Sequence, residues 1–282
     1  MFGTESVLYV KTALSNNRTI VSDSYFTAPY KIVTPFYNQE QNMAELMVMS
    51  ASAGVMEGDC YRTDIVVGAA CALSLHGQSY TKIHKMNSGH ASQINTFTIE
   101  EGAFFDYDPR PTIPFGGSLF ISETCCHLHR GARYIYSEIL SCGRAKSGEQ
   151  FAFKGYRSIN KVFHCGKLVF LDNQDLRPSK QALSQVGFFE GYSHQGTLGY
   201  FSETMDRDAV MERLYKLLET FEGVEAGIST TFGPGIIIRL LGNGSDYMER
   251  IFKETRKEIY CMQQEEAAGV PGENMTGQLP PI

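Results

Sequence analysis

Nowhere in these 282 residues do eighteen apolar residues run together, so no membrane-spanning helix is expected. Met1 to Ser6 lack the basic start and apolar centre of a secretion signal, and the expectation is a cytoplasmic protein. A basic cluster is missing too. Lysine and arginine number 25 against 31 aspartates and glutamates, and the net charge of −6 excludes a polyanion field, so nucleic acid is not an expected partner. Seven cysteines at irregular spacings, an odd number, fit reduced thiols better than a disulfide framework. There is no Gly-x-Gly-x-x-Gly after a strand, no Walker A lysine, no His-Glu-x-x-His and no Gly-x-Ser-x-Gly elbow. Those absences remove the direct arguments for dinucleotide, phosphate-loop, zinc-peptidase and serine-hydrolase chemistry.

What is present is a β pattern. From Ser6 to about Phe201, short runs rich in Val, Ile, Tyr, Phe and Thr are punctuated by Gly, Asn, Asp and Pro every eight to twelve residues or so. Ser6 to Ala13 alternates, Asn16-Asn17 makes a turn, and Leu46 to Met49 reads as a strand covered on both faces. Tyr61 to Val67 and Ala70 to Leu75 read as a hairpin around Gly68. The prolines at 109, 111 and 114 make the segment from Gly102 to Phe115 an edge or a crossover. Strands continue through Leu119 to Ser122, Tyr134 to Leu140, Phe151 to Phe153, Asn160 to His164, Lys167 to Leu171, Val186 to Tyr192 and Leu198 to Phe201. Helical periodicity then begins after Asp206, a candidate N-cap, and again at Ser245. The expectation is a mainly β, elongated two-layer β-sheet body with two α-helices near the C-terminus, about 206–222 and 245–264. Residues 1–264 form a single domain in this reading, and 265–282 a flexible tail.

The candidate sites are isolated polar residues. Asp59 ends a glycine turn bracketed by Gly54 and Gly58, where a carboxylate is hydrogen-bonded, paired or metal-facing; an Asx-type turn is the plain structural alternative. Glu190 lies between aromatics and glycine and is a candidate second half-buried carboxylate beside Asp59. His84 and His90 flank the Asn87 to Gly89 turn. Gly143-Arg144 with Gly148-Glu149 places a guanidinium and a carboxylate on opposite lips of a turn. Cys125, His127 and His129 would share one strand face, a donor set suited to zinc, copper or nickel, although no fourth ligand is identifiable.

Several segments together resemble the urease accessory protein family called UreD or UreH. They are Ser24 to Lys31, Pro35 to Tyr37, Ser52 to Asp59, Gln78 to His84, Pro109 to Phe115, Tyr136 to Leu140 with Gly143-Arg144, and Phe189 to His194. They carry Gly54, Gly58, Tyr80, Glu138, Gly143, Arg144 and Gly191, and lie in the family's order over most of the chain. The resemblance implies a non-enzymatic scaffold for nickel insertion into urease, working with a UreF-type helical accessory protein, a UreG-type GTPase and apo-urease. It implies no tightly bound cofactor, only nickel in transit through an internal passage. Asp59, Glu190 and His84 are the passage residues by that analogy, with Tyr80 nearby; the Cys125 to His129 cluster lies outside it. The competing readings are a β-architecture glycoside hydrolase or cupin-like metalloenzyme using Asp59, Glu190 or the histidines, and a stand-alone structural protein.

Overall fold

The computed structural model describes residues 5–39 and 41–267. Its strands in chain order begin with β1 (Glu5–Ser15), β2 (Arg18–Phe26), β3 (Tyr30–Ile32), β4 (Phe36–Asn38), β5 (Met43–Ser50) and β6 (Cys60–Val67). They continue through β7 (Ala72–Gly77), β8 (Thr81–Ile83), β9 (Ala91–Ile99), β10 (Phe104–Asp108), β11 (Thr112–Pro114), β12 (Leu119–Leu128) and β13 (Arg133–Ser141). β14 (Gly155–His164), β15 (Lys167–Leu176), β16 (His194–Phe201), α1 (Arg207–Leu218), β17 (Glu225–Thr230), β18 (Gly235–Gly242) and α2 (Ser245–Ala267) complete the set.

Two sheets face each other. One has the order β15-β14-β12-β9-β6-β1-β2, the other β17-β18-β16-β13-β10-β7-β5-β3. From β5 to β14 the chain passes back and forth between them, so strands stack in parallel as in a solenoid, β6 on β9 on β12 on β14 in the first sheet. The expected mainly β, two-layer body with two late helices is what the chain forms. The expected hairpin of Tyr61 to Val67 with Ala70 to Leu75 is not: those runs are β6 and β7, in different sheets. The intervening Gly68 to Cys71 turn carries the chain across the sandwich instead of folding it back.

Alternation decides the layers. Inward residues of the first sheet, such as Leu8, Ile65, Phe97, Cys126 and Val162, pack on Leu46, Leu73, Phe105, Tyr134 and Phe201 of the second. The outer face of the second sheet is covered by helices, with Val210, Leu214, Met248, Ile251 and Phe252 set against Ile135, Ile139, Leu198 and Ile238. At about 25 cal/mol per Å² of apolar surface removed from water, each such large side chain contributes on the order of 2 kcal/mol. In β5, Leu46 is fully buried while Met47 to Met49 are half-buried: Val48 and Met49 border a cavity, and the helices cover the outer face farther along the sheet.

Local differences have local causes. Phe104 to Asp108 is a central strand, β10, between β7 and β13; only Pro109 and Pro111, which carry no N–H, interrupt the ladder after it. Val186 to Tyr192 is a series of turns rather than a strand, with Gly187, Glu190 and Gly191 at positive φ and Phe189 as its buried anchor. Phe151, at φ 50°, likewise keeps Phe151 to Phe153 out of the sheet. Asp206 caps α1 by accepting from the backbone of Asp208 and Ala209. That helix stops at Leu218, four residues before the expected end, where Thr220 and Phe221 bond three residues back and Phe221 turns onto Tyr247. α2 instead runs through Ala267, since Arg213 of α1 pairs with both Glu258 and Glu265. The remainder of the expected tail, 268–282, lies outside the described residues.

Candidate functional site

Parallel stacking in register repeats chemistry across strands. Along the inner face of the first sheet, Thr63, Asn95, Thr124 and Asn160 lie in one row and Gln93, Ser122 and Ser158 in the next. Asn95 donates to Thr124 at 3.0 Å. Polar side chains so deep in a sandwich need partners or water, since each one buried bare costs a few kcal/mol. Apolar layers bound the rows on both sides, with Phe97, Cys126 and Val162 on one and Ala91, Phe120 and Tyr156 on the other.

Opposite these rows the second sheet is broken twice, between β7 and β8 and between β10 and β11. The breaks leave two adjoining cavities. The outer one, about 180 Å³, is bordered by Tyr30, Thr63, Tyr80, Gln93 and Arg110. The inner, about 50 Å³, is bordered by Asn95, Thr112, Ser122, Glu138 and Tyr156. Thr81, Gln93, Tyr107, Pro109 and Arg110 border both. No cysteine or histidine borders either.

Glu138, on β13, is the carboxylate of the inner cavity. It accepts from Asn160 at 3.0 Å and Ser158 at 3.4 Å, both from the polar rows across the gap. Burial pushes its carboxyl from 4.5 up to about 7; the two donors and Arg239 oppose that shift and Asp172 adds to it. Near neutral pH, therefore, its protonated and ionised forms are both populated. Beyond it Arg239 bonds Asp172 at 2.9 Å, where the row through Asn160 reaches β15.

The outer cavity meets the start of α2. Tyr80 donates to Asp246 at 2.5 Å and lies 3.0 Å from Glu249, and burial raises its phenol before those carboxylates add to the effect. Arg110 pairs with Glu249 at 2.7 Å and lies 5.1 Å over the Tyr80 ring.

The other expected residues are dispersed. Asp59 closes its own turn, accepting the Met56 N–H at 2.8 Å and the Tyr61 hydroxyl at 3.2 Å, and borders neither cavity. Glu190 is exposed, contrary to the half-buried placement expected beside Asp59, because it caps its own turn through the Gly187 N–H at 3.0 Å. His84 is half-buried, 3.2 Å from the Ala53 carbonyl and edge-on to Phe115. Gly54, at φ 149°, passes so close to β8 that a Cβ would lie 2.5 Å from the Lys82 carbonyl oxygen. Gly58 continues that turn, Gly143 and Arg144 begin another where Arg144 pairs with Glu149, and Gly191 sits beside Glu190. Cys125 and His127 face outward on β12, His127 stacked on Phe163, and His129 lies past the strand end. Among the described residues no group of three or more His, Cys, Asp or Glu side chains is set to hold a metal ion.

A family model described as UreD urease accessory protein matches residues 5–271. The chain belongs to the UreD urease accessory protein family. It is 48% identical to the urease accessory protein UreD of Acetivibrio thermocellus over 259 residues, which are 92% of this chain and 98% of that one. To the urease accessory protein UreH of Helicobacter hepaticus it is 35% identical over 254 residues, 90% of this chain and 98% of that one. The UreH of Helicobacter pylori strain G27 is 30% identical over 263 residues, 92% of this chain and 97% of that relative. In this UreD-family chain the sequence reading named Glu138 and Tyr80 among its motif residues but missed Arg110, Glu249 and Asn160. The available signal was polar Thr63, Asn95, Thr124 and Asn160 at inward positions of otherwise apolar strands.

Proposed function

We propose that this chain is a cytoplasmic, non-enzymatic urease maturation factor. In this reading it joins a UreF-type helical protein and a UreG-type GTPase to apo-urease, and nickel passes between its sheets on the way to the urease site. The observation that carries the reading is Glu138: one carboxylate, poised near neutrality, where two polar rows meet a cavity between the sheets. Hydroxyl, amide and carboxylate oxygens hold nickel weakly compared with thiolate or clustered imidazole, and a conduit has to release its cargo. The cavities are bordered by the first kind of donor and by none of the second.

A hydrolase reading needs two carboxylates across one pocket. Asp59 and Glu190 border neither cavity, and Glu138 has no carboxylate opposite it among the inner-cavity residues, so no observation favours that alternative. The test is co-purification of the chain with its helical and GTPase partners, followed by nickel-dependent activation of apo-urease. The expected result is a complex that activates urease and a Glu138→Gln complex that assembles normally but activates at least about tenfold more slowly. Equal activation by the two complexes would remove the conduit from the proposal.

A further inference from the structure

The geometry points to Arg110 and Glu249 as a charge-compensated partition between the two cavities, Glu249 being the residue that lets a divalent cation pass the guanidinium. The inference rests on the conduit reading and adds a specificity-determining pair to it. Its starting point is an electrostatic conflict. Among the described residues the outer cavity is bordered by Lys82 and Arg110 and by no carboxylate, whereas Glu138 waits in the inner one. A divalent ion approaching Glu138 from the outer cavity therefore has to pass a fixed positive charge, and with the Arg110 side chain 37% exposed, solvent reduces that repulsion without removing it.

Arg110 cannot move aside freely. It lies between Pro109 and Pro111, which fix the backbone on both sides. Its stem packs on Gly77 at the end of β7, where a Cβ would lie 3.1 Å from Arg110 Cγ and 3.3 Å from its backbone nitrogen. The Nε atom is buried and has no hydrogen-bond partner, so the guanidinium is placed by its other contacts. Those contacts are Glu249 at 2.7 Å and the face of Tyr80, and Tyr80 is itself tied to Asp246 and Glu249. The Glu249 side chain is 20% exposed and that of Arg110 37%, so solvent screens the pair in part. With Glu249 ionised, the partition presents a neutral pair to an ion; with Glu249 neutralised, it presents a cation. The pair joins α2 to the break in the second sheet, so any movement of that helix would alter the charge at the passage.

The experiment compares single-turnover activation of apo-urease by Ni²⁺ for complexes assembled with wild type, Glu249→Gln, the double variant Arg110→Met with Glu249→Gln, and Glu138→Gln. Melting curves and partner co-purification are measured on each. Glu249→Gln is expected to slow activation about tenfold or more, and the double variant to recover to within about threefold of wild type, since removing the guanidinium removes the need for compensation. A double variant as slow as Glu249→Gln, or a Glu249→Gln complex as fast as wild type, would overturn the partition. If Glu249→Gln does not fold, a folded double variant that activates normally supports the partition and one that activates slowly overturns it. The conduit reading fails separately, by a wild-type rate for Glu138→Gln in an intact complex.

Discussion

Glu138 and Asp59 are both carboxylates on the notable segments of this chain, and their surroundings give them different work. Glu138 has a folded pKa of about 7 against 4.5 unfolded, so the native state binds the proton more tightly. Its stabilising contribution is fully present below pH 4.5 and is lost as pH rises through 7, on the order of 3 kcal/mol in all. Denaturant titrations should therefore find Glu138→Gln more stable than wild type at pH 8 by about that amount, and the two nearly equal at pH 4.5. Asp59, by contrast, supplies an acceptor to Met56 and Tyr61 inside one turn. Asp59→Ala should cost about 1–2 kcal/mol in thermal unfolding, with Asp59→Asn retaining part of the loss. A neighbouring carboxylate works the same way at longer range: Glu57 accepts the N–H groups of Asn87, Ser88 and Gly89, which hold its carboxyl down to about 2.

At the scale of elements, α2 is the piece on which both ends of the site depend. At its midpoint Arg256, 8% exposed, pairs with Asp106 and Asp108 at 3.0 Å and donates to Ser137. Burial pushes the Asp106 carboxyl up, and Arg256 opposes that. Arg256→Ala would leave Asp106 buried without its cation, holding only the Tyr260 hydroxyl, an expected loss of about 3–5 kcal/mol, with amide exchange in the C-terminal half of α2 rising before the sheets open. At its N-terminus the Gly244 N–H bonds His194 Nδ1 at 3.2 Å, leaving the proton on Nε2 toward Ser245. Burial lowers the His194 pKa below 6.5, with Asp246 opposing. For a histidine lowered in the folded state, the contribution is present above 6.5 and lost as pH falls through the folded value. The first turn of α2 should accordingly lose protection in acid, relative to the intrinsic exchange rate at each pH, and His194→Gln should flatten that dependence in hydrogen-exchange measurements.

The elements were largely legible in the sequence because alternation and turn residues are local signals. Asn16 and Asn17, both at positive φ, join β1 to β2 as expected, and Asp206 caps α1. Pairing was not legible. Nothing in Tyr61 to Val67 says that its neighbours are β1 and β9 rather than the next strand, because parallel stacking joins residues a full coil apart. The site shared that fate: Glu138 and Tyr80 stood in recognisable segments, but Asn160, Arg110 and Glu249 reach them only through the register of the sheets and the placement of α2.

At the scale of the whole molecule, the coiling of the chain between two sheets turns single polar residues into rows, and the rows into a wettable seam through an apolar sandwich. No described helix is long and apolar enough to cross a membrane. The central claim is that this seam carries the ion. Ser122, buried in the first sheet and bordering the inner cavity, is the place to close it. The most direct measurement is the rate at which complexes assembled with Ser122→Leu load Ni²⁺ into apo-urease, taken beside their melting curves. A folded, fully assembled complex that loads nickel at least about tenfold more slowly is predicted; loading at the wild-type rate with the seam filled would contradict the account.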